Sequence, residues 1–320
     1  MMKKTILMLA ALGAALTLSA QQIRTNYRSE GLTHISTEFE TCGDFATRVE
    51  RVGFPDGSTL CLLYVDYYQK TPFTAPKNAK MTVTLTGGKI IRADQIGQDS
   101  ATKKRLDSGL YLNRLKYAVE TADLEAMARG VKSLEVATGW GPDDYIRTNF
   151  DDDAFGSLLK RHLEAIGKAA GSTVELTSKA AAYTDQSESI LTAAEPLVAQ
   201  GASRPYYLAL SHLYYKNTAG EDIDFALQIG TEDAYPIARE SEVVFTLKDG
   251  TEITLLQTRE DTNFVYLYPT LEQVRALAYG GVRSVRFETE KGALTDTFPD
   301  NGLSEAVNQQ YQLLMSLSAL

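Results

Sequence analysis

The sequence predicts an α+β fold of two tandem similar units, each an antiparallel β-sheet with helices packed on one face. Three observations predict it. Gly130-Val131-Lys132-Ser133-Leu134-Glu135-Val136 recurs as Gly281-Val282-Arg283-Ser284-Val285-Arg286-Phe287. Thr84-Leu85-Thr86-Gly87-Gly88 recurs in the same order as Thr246-Leu247-Lys248-Asp249-Gly250. Self-similarity in conserved order marks one supersecondary unit used twice. Finally, Met81, Val83 and Leu85 alternate with threonines, and Val243, Phe245 and Leu247 are apolar at the same phase. Shared phase is required if both strands cover a similar core, because a one-residue slip turns every side chain over.

The elements of the second half follow in order. Tyr206 to Tyr215 is rich in β-formers and stops at Asn217-Thr218-Ala219-Gly220, a turn. Asp222 to Ile229 returns. Val243 to Leu247 turns at Lys248-Asp249-Gly250, and Glu252 to Gln257 completes the hairpin, Asp-Gly between alternating runs being a hairpin signal. Phe264 to Tyr268 is a strand closed by Pro269. Thr270 with Gln273 three residues on has capping-box spacing, so a helix runs from Leu271 to Tyr279 and ends at Gly280-Gly281. Val282 to Thr289 is the next strand. Leu303, Ala306, Val307, Gln310, Tyr311 and Leu314 then mark one face of a closing helix.

The first half repeats this order, with a hairpin turn at Pro55-Asp56-Gly57, a short helix from Leu124 to Arg129 and a closing helix on Phe155, Leu158, Leu159, Leu163 and Ile166. It carries an insertion around Ile96 to Leu110. Residues 171–204 are rich in Ala, Ser and Thr and read as a linker, with a helical stretch around Ser189 to Val198 broken by Pro196. The expected organisation is a signal peptide over 1–20, a first unit over 23–170, a linker over 171–204 and a second unit over 205–320.

The signal peptide rests on Lys3 and Lys4, an apolar run from Ile6 to Leu18, and Leu18-Ser19-Ala20 as small residues for cleavage near Ala20. The expected location is therefore periplasmic or secreted. No later run is long and apolar enough to span a bilayer as a helix. Removing the leader takes the net charge from −9 to −11, since it holds two lysines and no acids. Such a charge repels nucleic acid on average. No nucleic-acid partner is expected.

Candidate chemistry is sparse. Asp151, Asp152 and Asp153 are candidate metal ligands, set against the preference of acids for a helix N-terminus. Cys42 and Cys61 form a candidate disulfide in an exported chain. His34, His162 and His212 lack the spacing of a metal site. His162 falls on the apolar stripe of the first closing helix where Gln310 falls on the second, which places both at the edge of a buried face. No Gly-x-Ser-x-Gly elbow is present, and no cofactor is expected. Tyrosines crowd two strands, Tyr64, Tyr67 and Tyr68 on one and Tyr206, Tyr207, Tyr214 and Tyr215 on the other. Tyr214 and Tyr215, with Trp140 in a glycine-flanked turn, are the candidate ligand-binding residues. The expected function is a non-catalytic binding or interaction module whose partner is a protein, peptide or glycan. An exported hydrolase with a site assembled from distant residues, and a structural cell-envelope protein, are the alternatives.

Overall fold

Alternation on the strands decides which residues enter the core. In the computed structural model Met81, Val83 and Leu85 are buried while their neighbours Thr82 and Thr84 are half-buried. Val243, Phe245 and Leu247 are buried likewise. The structure describes residues 22–72, 79–96, 103–105, 109–139, 144–150, 152–177, 180–184, 189–215, 223–231, 240–258, 264–289 and 292–317. Residues 1–21, which hold the expected signal peptide, and Trp140 and Asp151 lie outside the described residues. So do the side chains of Tyr214 and Tyr215 and most of the Ile96–Leu110 insertion.

The chain is mixed α+β, with mostly antiparallel pairing and four α-helices among the described residues. It divides into two compact units, the second beginning at Val174. None of the described helices is long and apolar enough to cross a membrane.

The first unit contains β1 (Ile23–Ser29), β2 (Leu32–Thr37), β3 (Glu40–Cys42), β4 (Phe45–Gly53), β5 (Thr59–Gln69), β6 (Lys80–Leu85), β7 (Ile90–Gln95), β8 (Lys103–Arg105), β9 (Tyr111–Glu120), α1 (Thr121–Met127), β10 (Val131–Ala137), β11 (Tyr145–Asn149) and α2 (Ala154–Ala169). Its strands lie in the order β11-β10-β6-β7-β9-β5-β4-β2-β1, with β3 paired to β4 and β8 to β9. The core gathers Phe45, Leu63, Val83, Tyr117, Leu134, Phe155 and Leu159 between the sheet and its helices.

The second unit contains β12 (Val174–Glu175), β13 (Ala180–Thr184), β14 (Ser189–Ala194), β15 (Leu197–Gln200), β16 (Pro205–Tyr215), β17 (Ile223–Thr231), β18 (Glu242–Leu247), β19 (Glu252–Leu256), β20 (Phe264–Leu267), α3 (Leu271–Tyr279), β21 (Val282–Thr289), β22 (Gly292–Thr297) and α4 (Gly302–Leu317). Its strands lie in two stretches, β22-β21-β18-β19 and β20-β17-β16-β14-β13, with β15 paired to β16. Gln257 sits at the break between them. Its side-chain oxygen accepts from the Tyr266 N–H at 2.6 Å, and the Thr258 N–H donates to the Tyr266 carbonyl at 2.9 Å. In the first unit backbone pairing of β7 with β9 at Asp94–Ala118 and Gln95–Tyr117 does this job.

The registers agree in detail. Val136, Leu134, Ser133 and Val131 pair with Met81, Val83, Thr84 and Leu85, with a shift between Val131 and Ser133. Phe287, Val285, Ser284 and Val282 pair with Val243, Phe245, Thr246 and Leu247, shifted at the same place. A glycine precedes each shift, Gly130 at φ 146° and Gly281 at φ 69°. Its carbonyl accepts from Thr86 N–H at 3.1 Å and Lys248 N–H at 2.9 Å respectively. At Gly130 a Cβ would meet the Thr86 hydroxyl at 2.6 Å, so the turn excludes any side chain.

One expectation is corrected here. Residues 171–204 are not a linker with a helix at 189–198. They hold β13, β14 and β15. Pairing decides against the composition: Ser189 to Ala193 run opposite Tyr215 to Ser211, and Leu197 to Gln200 run opposite Leu208 to Pro205. Pro196 falls between two strands, where its missing N–H costs no ladder bond. The expected capping box is formed, with the Gln273 N–H donating to Thr270 Oγ1 at 3.2 Å and the Thr270 N–H donating to Gln273 Oε1 at 2.9 Å.

Candidate functional site

Alternation on β4, β5 and β9 sends every second side chain away from the helices. Phe45, Thr47 and Val49 face the core, so Arg48 and Glu50 face outward. On β5, Leu63, Val65 and Tyr67 face the core, and Tyr64 and Asp66 face outward. On β9, Leu115 and Tyr117 face the core, and Arg114 and Lys116 face outward. His34 reaches the same face from β2, opposite Val52, and Phe39 joins from the connection between β2 and β3.

These outward side chains interlock. The Arg48 guanidinium lies 4.1 Å from the Tyr64 ring centre and 5.1 Å from that of Phe39. Arg114 lies 4.6 Å from the Phe39 centre, and Lys116 Nζ lies 5.1 Å from that of Tyr64. Cations over aromatic faces gain about 0.5–2 kcal/mol each, the more when desolvated. Arg114 also holds Asp66 through two bonds, Nε to Oδ1 at 2.9 Å and Nη2 to Oδ2 at 2.8 Å. Glu50 is held twice, by His34 Nδ1 at 2.9 Å and by the Tyr64 hydroxyl, which donates at 2.8 Å.

The electrostatics follow from these partners. Burial pushes the Glu50 carboxyl up, but the bonds from His34 and Tyr64 and the charges of Arg48 and Lys116 outweigh it and leave it below the usual glutamate range. Burial, followed by the Glu50 charge, pushes the Tyr64 phenol well above its ordinary value, so it stays a donor. The ionised Glu50 accepts from the Nδ1–H of His34. Tyr27 stacks on the imidazole at 5.0 Å and 14°. Ser36, also on the outward side of β2, shares a 2.6 Å bond with Thr25 Oγ1 and is buried.

Arg48 is 2% exposed and Asp66 1%. Burying charges costs free energy that pairing returns only in part. The second unit indicates whether the frame needs them. In the first unit Val49 pairs with Leu63, which pairs with Tyr117. In the second, Leu210 pairs with Leu227, which pairs with Leu267. On this register the places of Arg48, Glu50, Tyr64, Asp66, Arg114 and Lys116 hold Ala209, Ser211, Gln228, Gly230, Phe264 and Tyr266. The same strand order is thus assembled with none of those charges.

The other candidates fall as follows. Cys42 and Cys61 are buried free thiols, not a disulfide. Cys42 lies opposite Phe45, Phe45 lies opposite Tyr67, and the run of β5 from Tyr67 to Cys61 spans about 20 Å, far beyond disulfide reach. Burial raises both thiols above the ordinary range. Asp152 accepts from the Ala154 N–H at 3.3 Å, and the Asp153 carbonyl accepts from the Ser157 N–H at 2.9 Å, both at the start of α2. Among the described residues no three His, Cys, Asp or Glu side chains group as metal ligands. Tyr67 and Tyr206 are core residues, not surface ones.

His162 and Gln310 are at the centre of their cores, each 0% exposed, rather than at an edge. Their place is explained by a gap in the ladder. β4 pairs with β2 from Glu50 onward and with β3 up to Thr47, so Val49 falls where partners change. Thr37 Oγ1 fills the gap, accepting from the Val49 N–H at 3.1 Å and donating to the Val49 carbonyl at 3.2 Å. His162 Nδ1 stands 2.7 Å from that hydroxyl. The network closes with the imidazole proton on Nδ1. In the second unit Gln310 fills the matching gap, accepting from the Leu210 N–H at 3.0 Å and donating to the carbonyls of Leu208 and Glu195, each at 2.8 Å.

The outward cluster was missed on sequence grounds because its members are scattered from His34 to Lys116. The usable signal is charge on alternate strand positions in one half with none in the other. No known family matches the sequence, and no curated protein matches it.

Proposed function

We propose that the chain is an exported, non-catalytic binding or interaction module built from a duplicated α+β unit, and that the outward face of β4, β5 and β9 is its recognition surface. Duplication is supported by the matching strand orders, the shared register shift after Gly130 and Gly281, and the two filled ladder gaps. Export to the periplasm or beyond is supported by Lys3, Lys4 and the apolar run ending at Ala20.

The observation that carries the recognition surface is the costly charged cluster in one unit and its replacement by uncharged residues in the other. In the cluster Arg48, Arg114 and Lys116 stand beside Glu50 and Asp66, and Glu120 at the end of the same row of β9 brings the charges of the face into balance. Lys116 and Arg114 are half-buried and Phe39 is reachable, which suits a partner bearing a carboxylate beside an apolar group.

A panel of immobilised acidic peptides and glycans tests this, probed with the wild type and with Lys116→Tyr/Arg114→Phe. These residues are the second unit's own; Asp66→Gly, likewise the second unit's residue, is made with them so that no buried carboxylate loses its partner, and the melting temperature controls for folding. Loss of at least one interaction is expected; indistinguishable profiles would refute the assignment. The hydrolase alternative draws on the 2.9 Å His34–Glu50 contact. It requires turnover of an ester, amide or glycoside substrate that His34→Gln abolishes.

A further inference from the structure

The outward face of the second unit has a different chemistry. On β20, Phe264 and Tyr266 alternate with the buried Val265 and Leu267, and Tyr268 continues the row. Residues two apart on a strand stand about 6.8 Å apart. The Phe264 and Tyr266 rings are 6.4 Å between centres at 56°. Phe264 is 40% exposed and Tyr268 56%.

Beside this ladder the sheet is low. Gly230 lies opposite Phe264 and Gln228 opposite Tyr266. One strand further, Ala209 lies opposite Gln228. The first unit fills these places with Asp66, held by Arg114, and with Tyr64 and Arg48, packed against each other. The second holds Gly230, Gln228 and Ala209 there, with Tyr207 opposite Gly230 on one side and the three rings of β20 on the other, and no charged side chain stands at any of these positions.

We propose that this face binds an uncharged oligosaccharide. The C–H faces of pyranose rings stack on aromatic faces, and Gln228 and the tyrosine hydroxyls supply donors and acceptors for sugar hydroxyls. The charge argument selects neutrality. An acidic chain repels polyanions on average, and the described side chains at these positions include neither a cation to compensate them nor a carboxylate to hold a polycation. An exposed aromatic patch of this kind is otherwise a liability in water. The site lies on β16, β17 and β20 and does not depend on the charged cluster of the first unit.

The test is affinity electrophoresis of the full mature chain in native gels cast with laminarin, xyloglucan or mannan, with polygalacturonate as the anionic comparison. At least one neutral polymer retards the wild type. Tyr268→Ala and Phe264→Ala, both at exposed positions, each weaken the interaction about three- to tenfold. Lys116→Tyr leaves it unchanged, which separates this site from the recognition surface above. Free migration of the wild type in every neutral gel overturns the proposal, as does retardation by polygalacturonate alone or unchanged affinity in both alanine variants. Sedimentation covers the remaining occupant: self-association of the wild type that Tyr268→Ala abolishes would assign the face to a second copy and overturn the proposal.

Discussion

Gln310→Leu and His162→Leu occupy the same place in their units and differ in consequence. Gln310 makes three hydrogen bonds to backbone groups, accepting from Leu210 and donating to Leu208 and Glu195. Leucine makes none. The Leu210 N–H is then orphaned in the core, at about 1–3 kcal/mol, and the two carbonyls lose one partner each, at about 1 kcal/mol apiece. The total is about 3–5 kcal/mol, a large share of a domain's ordinary 5–15 kcal/mol. His162→Leu removes one bond, and Thr37 still serves both the N–H and the carbonyl of Val49. That change costs about 1 kcal/mol. Denaturant unfolding of each variant, read with hydrogen exchange over residues 45–53 and 205–215, measures the two units separately. Equal losses in the two variants, or a Gln310→Leu loss below about 1 kcal/mol, would refute the idea that these side chains complete broken ladders.

Two further outcomes follow from the same structure. Burial, with a smaller contribution from the Arg161 charge, lowers the His162 pKa to about 3, whereas an unfolded histidine titrates near 6.5. Its stabilising contribution is therefore complete above about pH 6.5 and is lost as pH falls toward 3, at up to about 1.4 kcal/mol per pH unit. His162→Gln abolishes this loss, so stability curves of wild type and variant that stay parallel between pH 7 and 4 contradict the buried neutral imidazole. The thiols of Cys42 and Cys61 resist alkylation in the native protein and take two labels after unfolding; an intact mass showing an oxidised pair contradicts the register that separates them.

Much of the fold is local and therefore legible. The strands 81–85 and 243–247, the Thr270 box and both closing helices follow from period and capping alone, since each is decided by residues within a few positions of one another. Residues 171–204 were not legible. Alanine and serine carry weak strand preference, and the state of this segment is set by β16, a partner further along the chain. The charged cluster was legible only as unexplained alternation. His34 and Glu50 are 16 residues apart, and Asp66 and Arg114 are 48 apart, so their bonds exist only once the sheet is assembled.

The amino-acid order thus determined by itself the α+β class and which faces of the strands and closing helices are apolar, because those are short-range consequences of side-chain period. Tertiary structure alone decided which polar side chains meet on the outward faces. It alone showed His162 and Gln310 bridging a change of strand partner and placed the two cysteines out of reach of each other. Pairing register between distant segments is a property of the assembled sheet, and no local pattern encodes it.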